Sequence, residues 1–343
     1  MEAIYDIGGG WKVRRDEDVM PPEIILYRHG RRVYSLAAAP KMKDEDALTL
    51  AQQIAQVYDT AWAAGWEECR RVIIAAAEES KSLGYASLVI QSGEVESESH
   101  TLFIEDVLRR IAHLDLGVTL SLGEQTEDVY ARWRKAGATR YLLRIETSNP
   151  TLYSKIHPAS CSWRRRVECL HALRRTGYQV GTGVMCGLPG QTVEDLAADI
   201  RFYGDMDVDM IGMGPYIPHP DTPLAQVAPS VPDGQRLMLG LKMIAVMRLY
   251  LHDVNIAAAT ALQALAHDGR ERGIMAGANV LMPNVTDRKY RRSYRLYANK
   301  PCLDETAALC RGCLDRRLAA IGESLLYGKR GDSPHFHRRT EHE

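Results

Sequence analysis

Nothing in this 343-residue sequence approaches the unbroken run of about 18 apolar residues that a membrane span requires. Its opening, MEAIYDIGGGWKVRRDEDVM, lacks the apolar stretch of a secretory signal. Excess charge of one sign is also missing. The 43 basic and 44 acidic residues leave a net charge of −1, which gives no electrostatic footprint for nucleic acid. The glycine run at residues 8–10 has no Lys-Ser/Thr sequel, which argues against a phosphate loop. These absences predict a cytoplasmic protein that engages neither nucleic acid nor membrane. In that reducing compartment the seven cysteines read as metal ligands or core residues rather than disulfides.

The composition that remains is ordinary for a globular protein, 45% hydrophobic and 25% charged, at a length that supports a large core. From residue 86 a pattern repeats: a short apolar run ends in polar residues and glycine, and a helix-like stretch follows. The runs are 86–94 (ASLVIQSGE), 117–124 (GVTLSLGE), 140–147 (RYLLRIET), 178–190 (YQVGTGVMCGLPG), 209–219 (DMIGMGPYIPH), 255–262 (NIAAATAL) and 278–284 (ANVLMPN). Helices are predicted at 102–114, 126–136, 162–175 and 192–203, the last opened by Thr192 with Glu194 and Asp195 close behind. Such alternation predicts a parallel sheet whose strands are buried on both faces. Seven units plus one upstream would close a (βα)8 TIM-type barrel; a doubly wound open sheet is the alternative. In both, ligands bind at the C-terminal ends of the strands.

The first 70 residues read differently. Residues 44–66 form an amphipathic helix with Leu50, Ile54, Val57, Ala61 and Trp62 near one face, and 23–36 contains a candidate strand. The predicted organisation is an atypical, helix-rich segment 1–70 with room for the first barrel unit, a barrel at 71–300, and a C-terminal part 301–343. That last part holds a cysteine site, a helix and a polar tail, and the tail from residue 328 reads as a frayed terminus.

Chemistry-bearing patterns cluster at the predicted strand ends. Cys302, Cys310 and Cys313 form C-x7-C-x2-C, and three thiolates suit zinc or an iron–sulfur cluster. Three packed free thiols are the simpler reading. Glu94, Glu124 and Glu146 each close a strand, where carboxylates bind amines or hydroxyls or transfer protons. Charge at an exposed strand end needs no function. Gly181, Gly183, Gly187 and Gly190 allow either close approach of a ligand or a tight turn. His219 and Asp221 lie in a stiff, proline-rich loop, PYIPHPDTPL, as solvated side chains. Tyr290, Tyr294 and Tyr297, interleaved with arginines, pack against the barrel or line its mouth.

Taken together, LVIQSGE, VTLSLGE, YLLRIETSNP, GLPGQT, IGMGPYIPHPDTPLA, GANVLMPN and the C-terminal cysteines resemble the radical SAM [FeFe]-hydrogenase maturase (HydE) family over residues 71–326. The biotin and methylornithine synthases are cousins that remain alternatives. The resemblance implies a (βα)8 barrel with S-adenosylmethionine (SAM) at its mouth. A [4Fe-4S] cluster would give SAM an electron, and the resulting radical would act on a small iron- and sulfur-containing precursor. Other hydrogenase maturation proteins become expected partners. The resemblance places Gln91, Ser92, Gly93, Thr119, Ser121, Glu146 and Arg166 against SAM, with Arg165 as an alternative to Arg166. It places Arg144, Tyr294 and Tyr297 on the internal cavity, and Cys302, Cys310 and Cys313 on a second iron–sulfur site of two- or four-iron type. Two departures stand out. Ile145 replaces the family's usual histidine, and the C-x3-C-x2-C that holds the radical cluster is missing, because residues 1–68 contain no cysteine and Cys69 stands alone. Three explanations stay open: an altered reading frame upstream of about residue 70, cluster ligands from a partner chain, or a chain that binds SAM or a metallo-intermediate without cleaving SAM.

Overall fold

A computed structural model describes residues 4–8, 10–16, 23–28, 31–37, 44–227, 229, 231–291, 297 and 300–341. The chain divides into two compact units, Met1–Arg71 and Val72–Glu343.

In the first unit, β1 (Ile4–Gly8), β2 (Trp11–Asp16), β3 (Glu23–Arg28) and β4 (Arg31–Ala37) form an antiparallel sheet in sequence order. The predicted strand at 23–36 is thus a hairpin, β3 against β4. Trp11 and Val13 alternate inward on β2, as a one-sided sheet requires. Helix α1 (Asp44–Ser82) follows, belonging to this unit up to Arg71. It outruns the expected 44–66 because neither glycine nor proline interrupts it strongly; Gly65 stands alone in an otherwise helix-forming run. Ile54 is partly buried on it, whereas the side chains of Leu50, Val57, Ala61 and Trp62 lie outside the described residues.

The second unit repeats strand and helix. In order it contains β5 (Ser87–Gln91), α2 (Glu98–Ile111), β6 (Gly117–Ser121), α3 (Glu127–Ala136), β7 (Ala138–Leu142), α4 (Pro150–Ile156), α5 (Trp163–Arg175) and β8 (Gln179–Thr182). Then come β9 (Met185–Cys186), α6 (Val193–Asp205), β10 (Met210–Ile211), β11 (Gly214–Pro215), α7 (Asp233–Leu251) and β12 (Asn255–Ile256). Helices α8 (Thr260–Leu265), α9 (Gly269–Met275), α10 (Arg288–Arg291), α11 (Ala307–Ala319) and α12 (Pro334–Thr340) complete it. Hydroxyl caps start the helices: Ser97 accepts from His100 N–H, which begins α2 four residues before the expected 102, Thr126 accepts from Val129 N–H, and Thr192 forms a full capping box with Asp195.

Six strands form one parallel sheet in the order β12-β10-β8-β7-β6-β5, an open partial barrel among the described residues. The strand after α9 is reduced to a single bridge, Ala257 to Val280. At Gly183 and Gly212 the main chains of two neighbouring strands approach so closely that a Cβ on Gly183 would sit 2.0 Å from Gly212 O. The strands break there and resume as the separate parallel pair β9–β11. That glycine serves backbone packing rather than ligand approach, and Gly187 and Gly190 adopt positive φ in the following turn. An aromatic cluster packs the sheet against α3. Tyr141 meets Tyr130 and Tyr178 edge-on at 5.0 and 5.7 Å between ring centroids, and stacks on Trp133 at 6.5 Å.

The tail corrects the expectation of a frayed terminus. It folds back under the N-terminal ends of the strands and is anchored there. Asp332 accepts from Arg140 Nη2 at 2.5 Å and from Gln179 Nε2 at 2.6 Å, and Asn255 donates to Gly331 O at 2.9 Å. Ser333 is completely buried and donates its N–H to Gln179 Oε1. His335 bridges Asp207 and Asp253, and Arg339 reaches Asp209. Buried polar groups at the strand starts would otherwise lack partners, and the polar tail satisfies them.

Candidate functional site

The opposite rim, at the C-terminal ends of the strands, gathers most of the residues singled out from sequence. Glu94 and Glu124 follow β5 and β6, and both point at the arginines opening α5. Arg166 lies 2.8 Å from each carboxylate, through Nη2 to Glu94 and Nε to Glu124. Arg165 also pairs with Glu124, at 3.0 Å, and with Glu96. Arg166 is the buried one of the two, its side chain 8% exposed against 47%. Burial pushes the Glu124 carboxyl up, Arg166 pulls it down, and the neighbouring Glu94 charge pushes it up again, with a net rise.

Helix α4 supplies two residues that sequence reading missed. Asn149 caps it by accepting from Thr151 and Leu152 N–H. Tyr153 then accepts from Arg166 Nε at 3.4 Å, and His157 stacks on the Tyr153 ring at 3.8 Å between centroids. Burial pushes the His157 ring down toward its neutral form, and it feels the charges of Glu146, Arg166 and Glu94. Their only sequence signal was the i, i+4 spacing on a helix opened by Asn-Pro.

Glu146 follows β7 with φ +63°, a left-handed backbone that is strained for a side chain of this kind. Its carboxylate pairs with Arg144 at 3.0 Å, and Arg144 also donates to Val184 O. Ile145 points the other way and is wholly buried. Thr119 is buried on β6 and Ser121 is half-buried at its end. Gln91 and Gly93 are exposed at the end of β5, and Ser92 is held by its N–H to Ser121 O. The charged cluster is therefore assembled, while Gln91, Ser92 and Gly93 stand at its open edge.

Farther along the rim, burial raises the Tyr297 phenol, which shares a hydrogen bond with Thr260 at 2.5 Å and lies in the fields of Arg270, Cys302 and Arg144. Tyr294 lies outside the described residues. Cys302, Glu305 and Cys310 place their ligand atoms within 4.8 Å of one another, while Cys313 is not part of this group. A hydrogen bond from the Cys302 thiol pulls Cys310 toward thiolate, against burial, and Arg270 adds to the pull. Arg291 staples the surrounding loops: it donates to the carbonyls of Thr286, Asn284, Cys302 and Glu305. Of the three expected cysteines, two thus stand together, with the carboxylate of Glu305 beside them. Cys313, one turn beyond Cys310 on α11, is engaged by Arg317 instead. The other cysteines stand apart. Cys69 is exposed, Cys161 is half-buried, Cys169 donates to Gln125 O at 3.6 Å, and Cys186 is fully buried. His219 accepts from Asp221 N–H in the proline-rich loop; the His219 side chain is half-buried and that of Asp221 is exposed.

The radical SAM superfamily matches residues 60–203. The [FeFe] hydrogenase maturase subunit HydE of Thermotoga maritima is 42% identical over 250 residues, 73% of this chain and 70% of that protein. Methylornithine synthase (PylB) superposes with a TM-score of 0.61 at 22% identity, covering 75% of this chain and 73% of its own. HydG, a maturase of the [FeFe]-hydrogenase, gives 0.52 at 18% identity, covering 62% and 49%. The two structural likenesses establish a shared fold.

Proposed function

The chain belongs to the HydE family of radical SAM enzymes, and from that premise we propose that its rim binds SAM and presents it to a small iron- and sulfur-containing precursor in the interior. The observation that carries this reading is the buried Arg166 guanidinium held between Glu94 and Glu124. SAM offers a carboxylate, an ammonium and ribose hydroxyls. A buried cation flanked by carboxylates, with Glu146 and Arg144 beside it, suits that set of groups. Arg144, Tyr297 and Arg270 supply cationic and hydroxyl donors toward an anionic iron complex, and Cys302, Cys310 and Glu305 are suited to an iron site.

The family's electron-donating [4Fe-4S] cluster supplies the electron that cleaves SAM, and its cradle requires three thiolates at the barrel mouth. The described residues of this chain do not fit that cradle: among them no group of three neighbouring thiols occurs. What its own side chains do is bind, orient and exclude water. The same observation favours a second reading, in which the barrel holds SAM or a metallo-intermediate without cleaving it.

Calorimetric titration with SAM tests the binding site. The expected result is saturable binding that weakens at least tenfold in Arg166→Ala, and equal binding by both proteins refutes it. Iron and acid-labile sulfide after anaerobic reconstitution, in this chain and in a Cys302→Ala/Cys310→Ala/Cys313→Ala variant, separate the two readings. If the variant retains about four irons and forms 5′-deoxyadenosine under reduction, the enzymatic reading holds. If it loses all iron and the parent chain forms no 5′-deoxyadenosine, the binding reading holds.

A further inference from the structure

Behind the Arg144–Glu146 pair lies a buried polar cluster that SAM binding does not use. Asp199 on α6 is fully buried. Its Oδ1 accepts from Ser148 N–H at 2.6 Å, while its Oδ2 has no hydrogen-bond partner. The Tyr203 hydroxyl, one turn later and equally buried, is unpartnered too. An unpaired carboxylate oxygen in such a place is unfavourable, and it persists where the surrounding structure gains something from the charge.

What the charge holds is the loop that carries Glu146. Three hydrogen bonds fix that strained residue and its successors: Glu146 N–H to Gly183 O, Met185 N–H to Glu146 O, and Ser148 N–H to Asp199. Two are backbone to backbone, and the third is the one a side chain controls. One turn earlier on α6, Asp195 accepts from the Asn149 side chain at 2.7 Å. Helix α6 therefore presents two carboxylates to consecutive residues of a single loop.

We propose that Asp199 is a positioning residue: its ionised carboxylate clamps residues 146–149 in the strained form that offers Glu146 to SAM, and its protonation loosens the clamp. This rests on the reading of Glu146 as a SAM contact. Burial pushes the Asp199 carboxyl up to about 6, the Ser148 hydrogen bonds oppose that, and Asp195 adds to it. The groups facing the cluster are Asp195 and Tyr203 on α6, Cys186 on β9, and Arg144 and Glu146 after β7. Protonation consequently falls in the range where SAM binding can be measured.

Two measurements on the full chain test this. Hydrogen–deuterium exchange of the peptide spanning 146–150 at pH 7.5 reads the clamp without SAM. The Ser148 amide is expected to be protected in the parent, to lose protection several-fold in Asp199→Asn, which keeps an acceptor but resembles the protonated acid, and to lose it at least tenfold in Asp199→Ala. Titration with SAM from pH 5 to 8 reads the consequence. Parent affinity is expected to fall about tenfold toward pH 5, whereas Asp199→Asn shows no such pH dependence. Unchanged protection in Asp199→Ala overturns the clamp. A parent-like pH profile in Asp199→Asn overturns its role in SAM binding. If the clamp behaves as expected but the parent and Arg166→Ala alike fail to bind SAM, the SAM assignment of the rim is what falls, and the positioning role falls with it.

Discussion

Replacing Asp332 with alanine probes the tail that seals the base of the sheet. The side chain of Asp332 is 25% exposed, but the Arg140 side chain it meets is only 5% exposed. Removing one partner of a buried ion pair destabilises a protein by about 3–5 kcal/mol, chiefly because a buried charge is left uncompensated. Arg140 keeps two other acceptors, Ser87 Oγ at 2.9 Å and Arg330 O at 2.6 Å, whereas Gln179 Nε2 loses the acceptor it had. These retained bonds place the expected loss below that range, at about 2–3 kcal/mol. Urea denaturation at pH 7 measures it as a lower midpoint at constant slope. The pH dependence supplies a second check. Burial pushes the Asp332 carboxyl up, but the Gln179 amide and the Arg140 guanidinium pull it below the usual carboxylate range. A carboxyl lowered in the folded state contributes stability above the unfolded carboxylate pKa of about 4, and that contribution is lost as pH falls through the folded value. The gap between parent and variant is therefore wide at pH 7 and narrows below about pH 4. A difference under about 0.5 kcal/mol at pH 7, within the usual range for surface changes, refutes the anchoring of the tail.

Three other outcomes are expected. Glu305→Ala lowers iron or zinc retained after reconstitution more than Cys313→Ala does, because Glu305 and not Cys313 stands with Cys302 and Cys310; metal analysis giving the reverse order would contradict that geometry. Gly183→Ala drives a methyl group into the Gly212 carbonyl, 2.0 Å away, and is expected to destabilise by about 3 kcal/mol or more, read from the thermal midpoint. Asp199→Asn is expected to gain stability while impairing SAM binding. An acid raised from 3.8 to about 6 holds its proton longer folded than unfolded, so stability falls as pH rises from about 4 to 6. The amide escapes that loss, which makes the variant about 1–3 kcal/mol more stable than the parent at pH 8 and no more stable at pH 4.

Much of the barrel was legible because its code is local. Short apolar runs alternating with capped amphipathic stretches gave the starts of β5 to β8 and the bounds of α2, α3, α5 and α6 within a few residues, since burial on both faces and hydroxyl caps leave periodic signatures. The glutamates at the strand ends were legible for the same reason: position along a strand fixes position on the rim. What sits opposite each glutamate was not. Arg166 lies 72 residues beyond Glu94 in the chain, and their pairing depends on how α5 packs.

The sequence by itself determined the alternation of strand and helix, the missing C-x3-C-x2-C and, through its motifs, the family. Only the tertiary structure decided that Glu305 joins Cys302 and Cys310, that α4 and its C-cap bring Tyr153 and His157 to the rim, that Asp199 accepts from Ser148 N–H beside Glu146, and that the polar tail docks on the strand starts. The physical reason is common to all four. Each turns on satisfying a buried polar or charged group with a partner distant in the chain, and that requirement has no period or spacing by which a sequence reveals it.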